Sequence, residues 1–131
     1  MKLGRAPGNG GAYFLPRLIG SGLAAELAFT GDLLDAARAL EFGLINQITD
    51  DDALMEHVGA LAARIARNPR KALEATKHLL RTSWHTDLRG SLSSSYWMTS
   101  TLQYSRDFKE GVDAAVEKRT PDYNGKPRND T

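Results

Sequence analysis

Apolar positions recur at spacings of three and four residues along most of this chain, the pattern of helices that each bury one face. The loop Gly8-Asn9-Gly10-Gly11 opens onto a short apolar helix at residues 12–19, where Pro16 is expected to distort or interrupt a turn. Gly20-Ser21-Gly22 breaks that helix, and Ser21 is placed to cap the next, at residues 23–29. Thr30-Gly31-Asp32 reads as a turn. Asp35 then caps a helix at residues 36–42, and Gly43 stops it. Leu44-Ile45-Asn46-Gln47-Ile48 is the only clear strand candidate, and it is short.

Longer helices are predicted beyond it. Asp51 or Asp52 caps one that runs to Arg67, with Leu54, Val58, Leu61 and Ile65 along one face. Asn68-Pro69 stops it, and Pro69 starts the next at the position where proline is tolerated. That helix runs to about Arg81, with Ala72, Thr76 and Leu79 inward and Arg70, Glu74 and His78 on the outer face. A further helix spans about residues 86–104, aligning Leu88, Leu92, Tyr96 and Thr99. Ser105 caps the last, over residues 107–119, and Pro121 ends the regular structure. The expected organisation is a loop-and-short-helix segment at 1–50, a helical region at 51–121 and a polar tail at 122–131.

Composition bounds the function. Length (131 residues) and apolar content (41%) suit an ordinary globular domain. No run approaches the roughly 18–20 apolar residues of a membrane span, and no membrane partner is expected. The first residues lack the apolar core of a secretory signal. Cysteine is absent, which excludes disulfides and thiolate metal sites and makes the reducing cytoplasm the simplest home. A net charge of +1 gives no reason to expect nucleic-acid binding. That small net charge hides segregation. Residues 21–60 carry eight acids against one base, and residues 61–90 carry seven bases against two acids. Such blocks are read as solvated or interface faces, or, in the basic stretch, as a surface that meets an anion such as phosphate.

The generic catalytic patterns mostly fail. Gly8-Asn9-Gly10-Gly11-Ala12-Tyr13 departs from a dinucleotide fingerprint, with Tyr13 at the third glycine position and no preceding strand. No phosphate-loop signature occurs, and Gly20-Ser21-Gly22 has the wrong spacing for a nucleophile elbow. His57, His78 and His85 form no ligand pair on one helix face, so no metal is expected. Asp50-Asp51-Asp52 reads as a capping run. Asn129-Asp130-Thr131 matches a glycosylation acceptor, which carries no meaning without a secretory signal. The glycine loop remains. Glycines let backbone amides approach a ligand, and a helix N-terminus beyond them favours an anion or oxyanion.

Pro7-Gly8-Asn9-Gly10-Gly11, followed by Leu15-Pro16-Arg17-Leu18-Ile19-Gly20, resembles the crotonase superfamily, the enoyl-CoA hydratase/isomerase family. Further stretches match in order: Ala24 through Asp32, Ala36 through Asn46, and Asn68-Pro69 with Ala72 and Lys77. Ser105 through Gly111, Glu117-Lys118-Arg119 and Pro121 through Lys126 complete the set. The resemblance is to the C-terminal half of that family's subunit. It implies the C-terminal helical part of an α/β crotonase fold, mainly helical here, with one or two short strands.

The resemblance implies an acyl-CoA thioester as substrate, with water addition to an enoyl-CoA as the reaction of the complete protein. Coenzyme A enters as part of the substrate, and no separate cofactor is implied. Pro7, Gly8, Asn9, Gly10 and Gly11 are carried over as substrate-binding. Lys118 is carried over as a phosphate contact, and Ala115 stands where the family usually has an aromatic residue beside the CoA. Lys118 can equally serve only to neutralise a helix C-terminus. The family's catalytic glutamates and oxyanion donors fall before Met1, so the chain is expected to lack them. Asn9 can hydrogen-bond a substrate or a water but cannot act as a general base. The implied partners are further copies of the chain, in a trimer or dimer of trimers, or a separate N-terminal half. A non-catalytic oligomerisation module and a half-enzyme completed in trans stay open as alternatives.

Overall fold

In a computed structural model, residues 4–123 are described. They form two compact units, up to Leu54 and from Met55 onward. The first unit contains α1 (Gly11–Ile19), α2 (Ser21–Thr30) and α3 (Ala36–Glu41). The second contains α4 (Leu54–Ala66), which begins at the boundary, then α5 (Arg70–Thr82), α6 (Leu88–Leu102) and α7 (Arg106–Glu117). A short 3-10 turn, Ser83–His85, follows α5. The predicted tail beyond Tyr123 lies outside the described residues.

Local chemistry explains several helix ends. Asp35 accepts from the Arg38 amide at 2.8 Å and starts α3. Ser105 Oγ accepts from the Phe108 amide at 3.1 Å and starts α7. Asn68 closes α4 by donating its side-chain amide to the Arg64 and Ile65 carbonyls. Arg70 and Glu74 pair at 2.8 Å on the outer face of α5. Each lost cap leaves an amide without its partner, so Asp35→Ala and Ser105→Ala are each expected to cost about 1 kcal/mol. Urea titration followed by far-UV circular dichroism checks this.

Several expectations need correction. Ser21 lies inside α2, and Gly20 holds the cap position without a side-chain bond. Gly20 has φ 81 and ψ 155, a region essentially closed to other residues. Pro16 does not interrupt α1, which continues to Ile19. Its missing N–H forfeits one bond to the Ala12 carbonyl. Arg17 donates to the Tyr13 carbonyl at 2.8 Å and lies over the Tyr13 ring, adding support on the other side of the proline. Pro69 precedes α5 rather than opening it. The 86–104 helix shortens to Leu88–Leu102 because Asp87 caps it, accepting from the Gly90 amide at 2.7 Å.

The short strands expected of an α/β fold are absent among the described residues. Residues 44–46 form a bend, and the Leu44 and Ile45 amides both donate to the Ala39 carbonyl, at 2.8 and 3.3 Å. Amides tied back onto α3 are not available for a strand ladder.

Burial is sparse. Among the described residues, the buried apolar ones are Ala24, Ala39 and Ala114, all small. The α4 face of Leu54, Val58, Leu61 and Ile65 stays 43–50% exposed, and Trp97 on α6 is 68% exposed. A domain of this length ordinarily buries about two thirds of its unfolded surface. These faces therefore leave much apolar area uncovered.

Candidate functional site

The glycine loop shapes one site in the first unit. The Gly11 amide closes the turn on the Gly8 carbonyl at 2.9 Å, and the Gly10 carbonyl receives the Tyr13 and Phe14 amides, both at 2.9 Å. Asn9 and Gly10 are left-handed, with φ 51 and 82. Gly10 is the N-cap of α1 and offers no side-chain cap to the first-turn amides. The positive end of the helix is thus dressed by backbone alone.

Beside this turn lies an apolar cavity of about 670 Å³. Pro7 and Gly11 line it with Leu15, Ala25 and Ala28, whereas Gly8, Asn9 and Gly10 form the neighbouring turn without lining it. The loop residues expected to bind substrate are therefore adjacent in space, and of them only Pro7 and Gly11 line the cavity. Arg5, Ser21 and Asp32 supply the polar lining. The sequence reasoning missed Arg5 and Asp32. A charged residue immediately after the Thr30-Gly31 turn was the available signal for Asp32.

The second candidate lies at the end of α7. The Lys118 amide donates to the Ala115 carbonyl at 3.3 Å and the Arg119 amide to the Ala114 carbonyl at 3.0 Å. These two bonds make a Schellman ending, with Lys118 at the left-handed position where glycine is usual. Ala114, 1% exposed, anchors that turn. Lys118 itself is exposed. Ala115 lines a cavity of about 470 Å³ with Leu102, Phe108, Val112 and Tyr123, and Lys71 and Asp107 contribute opposite charges. The structure therefore places Ala115 against this cavity and Lys118 outside its lining, at the same helix end.

Arg119 is occupied differently. Its terminal nitrogens donate to both Glu110 oxygens, Nη2 at 3.0 Å, and its Nε donates to Glu117. The hydrogen bond to Glu110, then that to Glu117, pushes its pKa above the ordinary guanidinium value. Glu110 also accepts from the Asp122 amide at 2.8 Å, folding residues 119–123 back along α7. This cluster was also missed. It depends on the chain reversing at Lys118, which sequence spacing does not reveal.

No described helix is long and apolar enough to cross a membrane. The described residues gather no group of three His, Asp or Glu that could hold a metal ion.

The sequence pattern of the family described as enoyl-CoA hydratase/isomerase matches residues 1–126. The 2,3-dehydroadipyl-CoA hydratase of Escherichia coli is 34% identical over 124 residues, covering 95% of this chain and 49% of that protein. The 1,2-epoxyphenylacetyl-CoA isomerase of the same organism is 34% identical over 125 residues, covering 95% and 48%. A crystal structure of enoyl-CoA hydratase from Bacillus anthracis superposes with a TM-score of 0.87 at 35% identity, covering 95% of this chain and 48% of that one. The chain spans about half the length of the curated relatives it matches.

Proposed function

Because the chain belongs to the enoyl-CoA hydratase/isomerase family, we propose that it forms part of a site that processes an acyl-CoA thioester. Water addition to an enoyl-CoA is the reaction we assign to the whole. The observation that carries this reading is the apolar cavity lined by Pro7 and Gly11 beside the uncapped start of α1. On this reading the cavity receives the acyl end, with Gly8, Asn9 and Gly10 shaping its rim. Lys118 meets a phosphate of the CoA, and Ala115 lies beside it. Coenzyme A arrives with the substrate and is not a resident cofactor.

Hydration needs a carboxylate to deprotonate water, a proton for the α-carbon and donors for an enolate oxyanion. Among the described residues lining the cavity, Asp32 is the only carboxylate, and it is exposed. Asn9 can hold a water but cannot take its proton. We therefore assign the catalytic glutamates and the oxyanion hole to a second polypeptide segment, and binding to this one. The half-exposed faces of α4 and α6 support a partner, either that segment or further copies in a trimer. They also favour a second reading, a helical oligomerisation module without catalysis. The cytoplasm is the setting we assign.

Hydration of crotonyl-CoA, followed by loss of the enoyl-thioester absorbance, tests the division of labour. The purified chain is expected to be inactive alone and to gain turnover when mixed with an N-terminal family half. Turnover by the chain alone contradicts the assignment. A stable trimer that stays inactive on mixing favours the oligomerisation module.

A further inference from the structure

Two cations sit side by side at the end of α7, and their surroundings differ. Arg119 is held by Glu110 and Glu117, and its Glu110 partner is only 17% exposed. Lys118 is exposed and left-handed, with φ 54 and ψ 39. That conformation is unfavourable for any residue with a Cβ. Two constraints hold it. The Schellman bonds close the helix side, and Glu110 grips the residues that follow through the Arg119 side chain and the Asp122 amide.

We propose that Glu110 is a positioning residue for coenzyme A, fixing Lys118 in the left-handed turn from which its ammonium meets a phosphate. The inference rests on the reading of Lys118 as a phosphate contact. It divides the work of the two cations. Arg119 is a structural fork on a carboxylate, and Lys118 is the point charge left for the ligand. It also makes an acidic residue favourable to the binding of a polyanion, against simple charge attraction.

That sign makes the proposal testable. The full chain is titrated with coenzyme A and with pantetheine, which lacks the phosphates, by calorimetry. Glu110→Gln is expected to weaken coenzyme A binding about tenfold, as Lys118→Ala does, and to leave pantetheine unchanged. The double variant is expected to bind no more weakly than Lys118→Ala alone. Arg119→Lys keeps the charge but loses the two-pronged pairing, so it is expected to weaken coenzyme A binding too. The Lys118 Cα chemical shift should leave the left-handed range in Glu110→Gln and in Arg119→Lys.

Glu110→Gln that binds coenzyme A as well as or better than the parent overturns the proposal, as do additive effects in the double variant. If Glu110→Gln does not fold, a normal coenzyme A affinity in Arg119→Lys serves the same purpose. A parent chain that binds coenzyme A no better than pantetheine, or an unaffected Lys118→Ala, overturns the Lys118 reading and the proposal together.

Discussion

Gly10→Val is expected to destabilise the first unit by about 3–4 kcal/mol, the largest effect of any single substitution in the loop. Two costs combine. Gly10 has φ 82, where a side chain adds roughly 1–2 kcal/mol and a β-branched one more. A Cβ there would also stand 2.6 Å from the Phe14 ring. That ring packs edge-on against Tyr13, with centroids 5.2 Å apart, so it cannot swing away without losing the contact. Gly8→Ala is the control. Nothing lies within 4 Å of its Cβ, and it is expected to change stability by less than about 0.5 kcal/mol. Far-UV circular dichroism in urea follows both variants. Trp84 and Trp97 lie in the second unit, so their fluorescence follows that unit separately. Equal stabilities for the two glycine variants would mean that the turn is not built as described.

Lys118 yields the second large effect, and it splits binding from stability. Lys118→Gly is expected to lose about tenfold in coenzyme A affinity, near 1.4 kcal/mol, because one cation–phosphate contact goes. The same change should stabilise the chain by about 1 kcal/mol, since glycine takes the left-handed position without strain. Lys118→Ala should lose the same affinity with no gain in stability. Raising the salt concentration should weaken coenzyme A binding to the parent more than to either variant, because the lost term is electrostatic. If Lys118→Gly gains stability and keeps its affinity, Lys118 only ends the helix.

The caps at Asp35 and Ser105 were legible because each is a contact three residues long, set by one side chain and one amide. Ser21 misled because the chain could start its helix from Gly20, whose unusual backbone makes the turn by itself. The strand expected at residues 44–48 failed because a short run of strand-forming residues says nothing about a ladder partner. The Ala39 carbonyl had already taken two of its amides. The glycine loop was legible as a loop, yet the roles within it were not. The cavity that separates Pro7 and Gly11 from Gly8, Asn9 and Gly10 exists only once α1 packs on α2. The Glu110–Arg119 pair spans nine residues across a helix end, and no helical spacing brings those positions together without the reversal at Lys118.

Amide chemical-shift mapping of the isotope-labelled chain with crotonyl-CoA tests the central claim, that this polypeptide carries binding parts of an acyl-CoA site. The account predicts two clusters of perturbed amides. One covers residues 8–12 with the cavity-lining part of α2, and the other covers residues 114–119. Crotonyl-pantetheine should move only the first. Perturbation of neither cluster, or shifts confined to the exposed faces of α4 and α6, contradicts it.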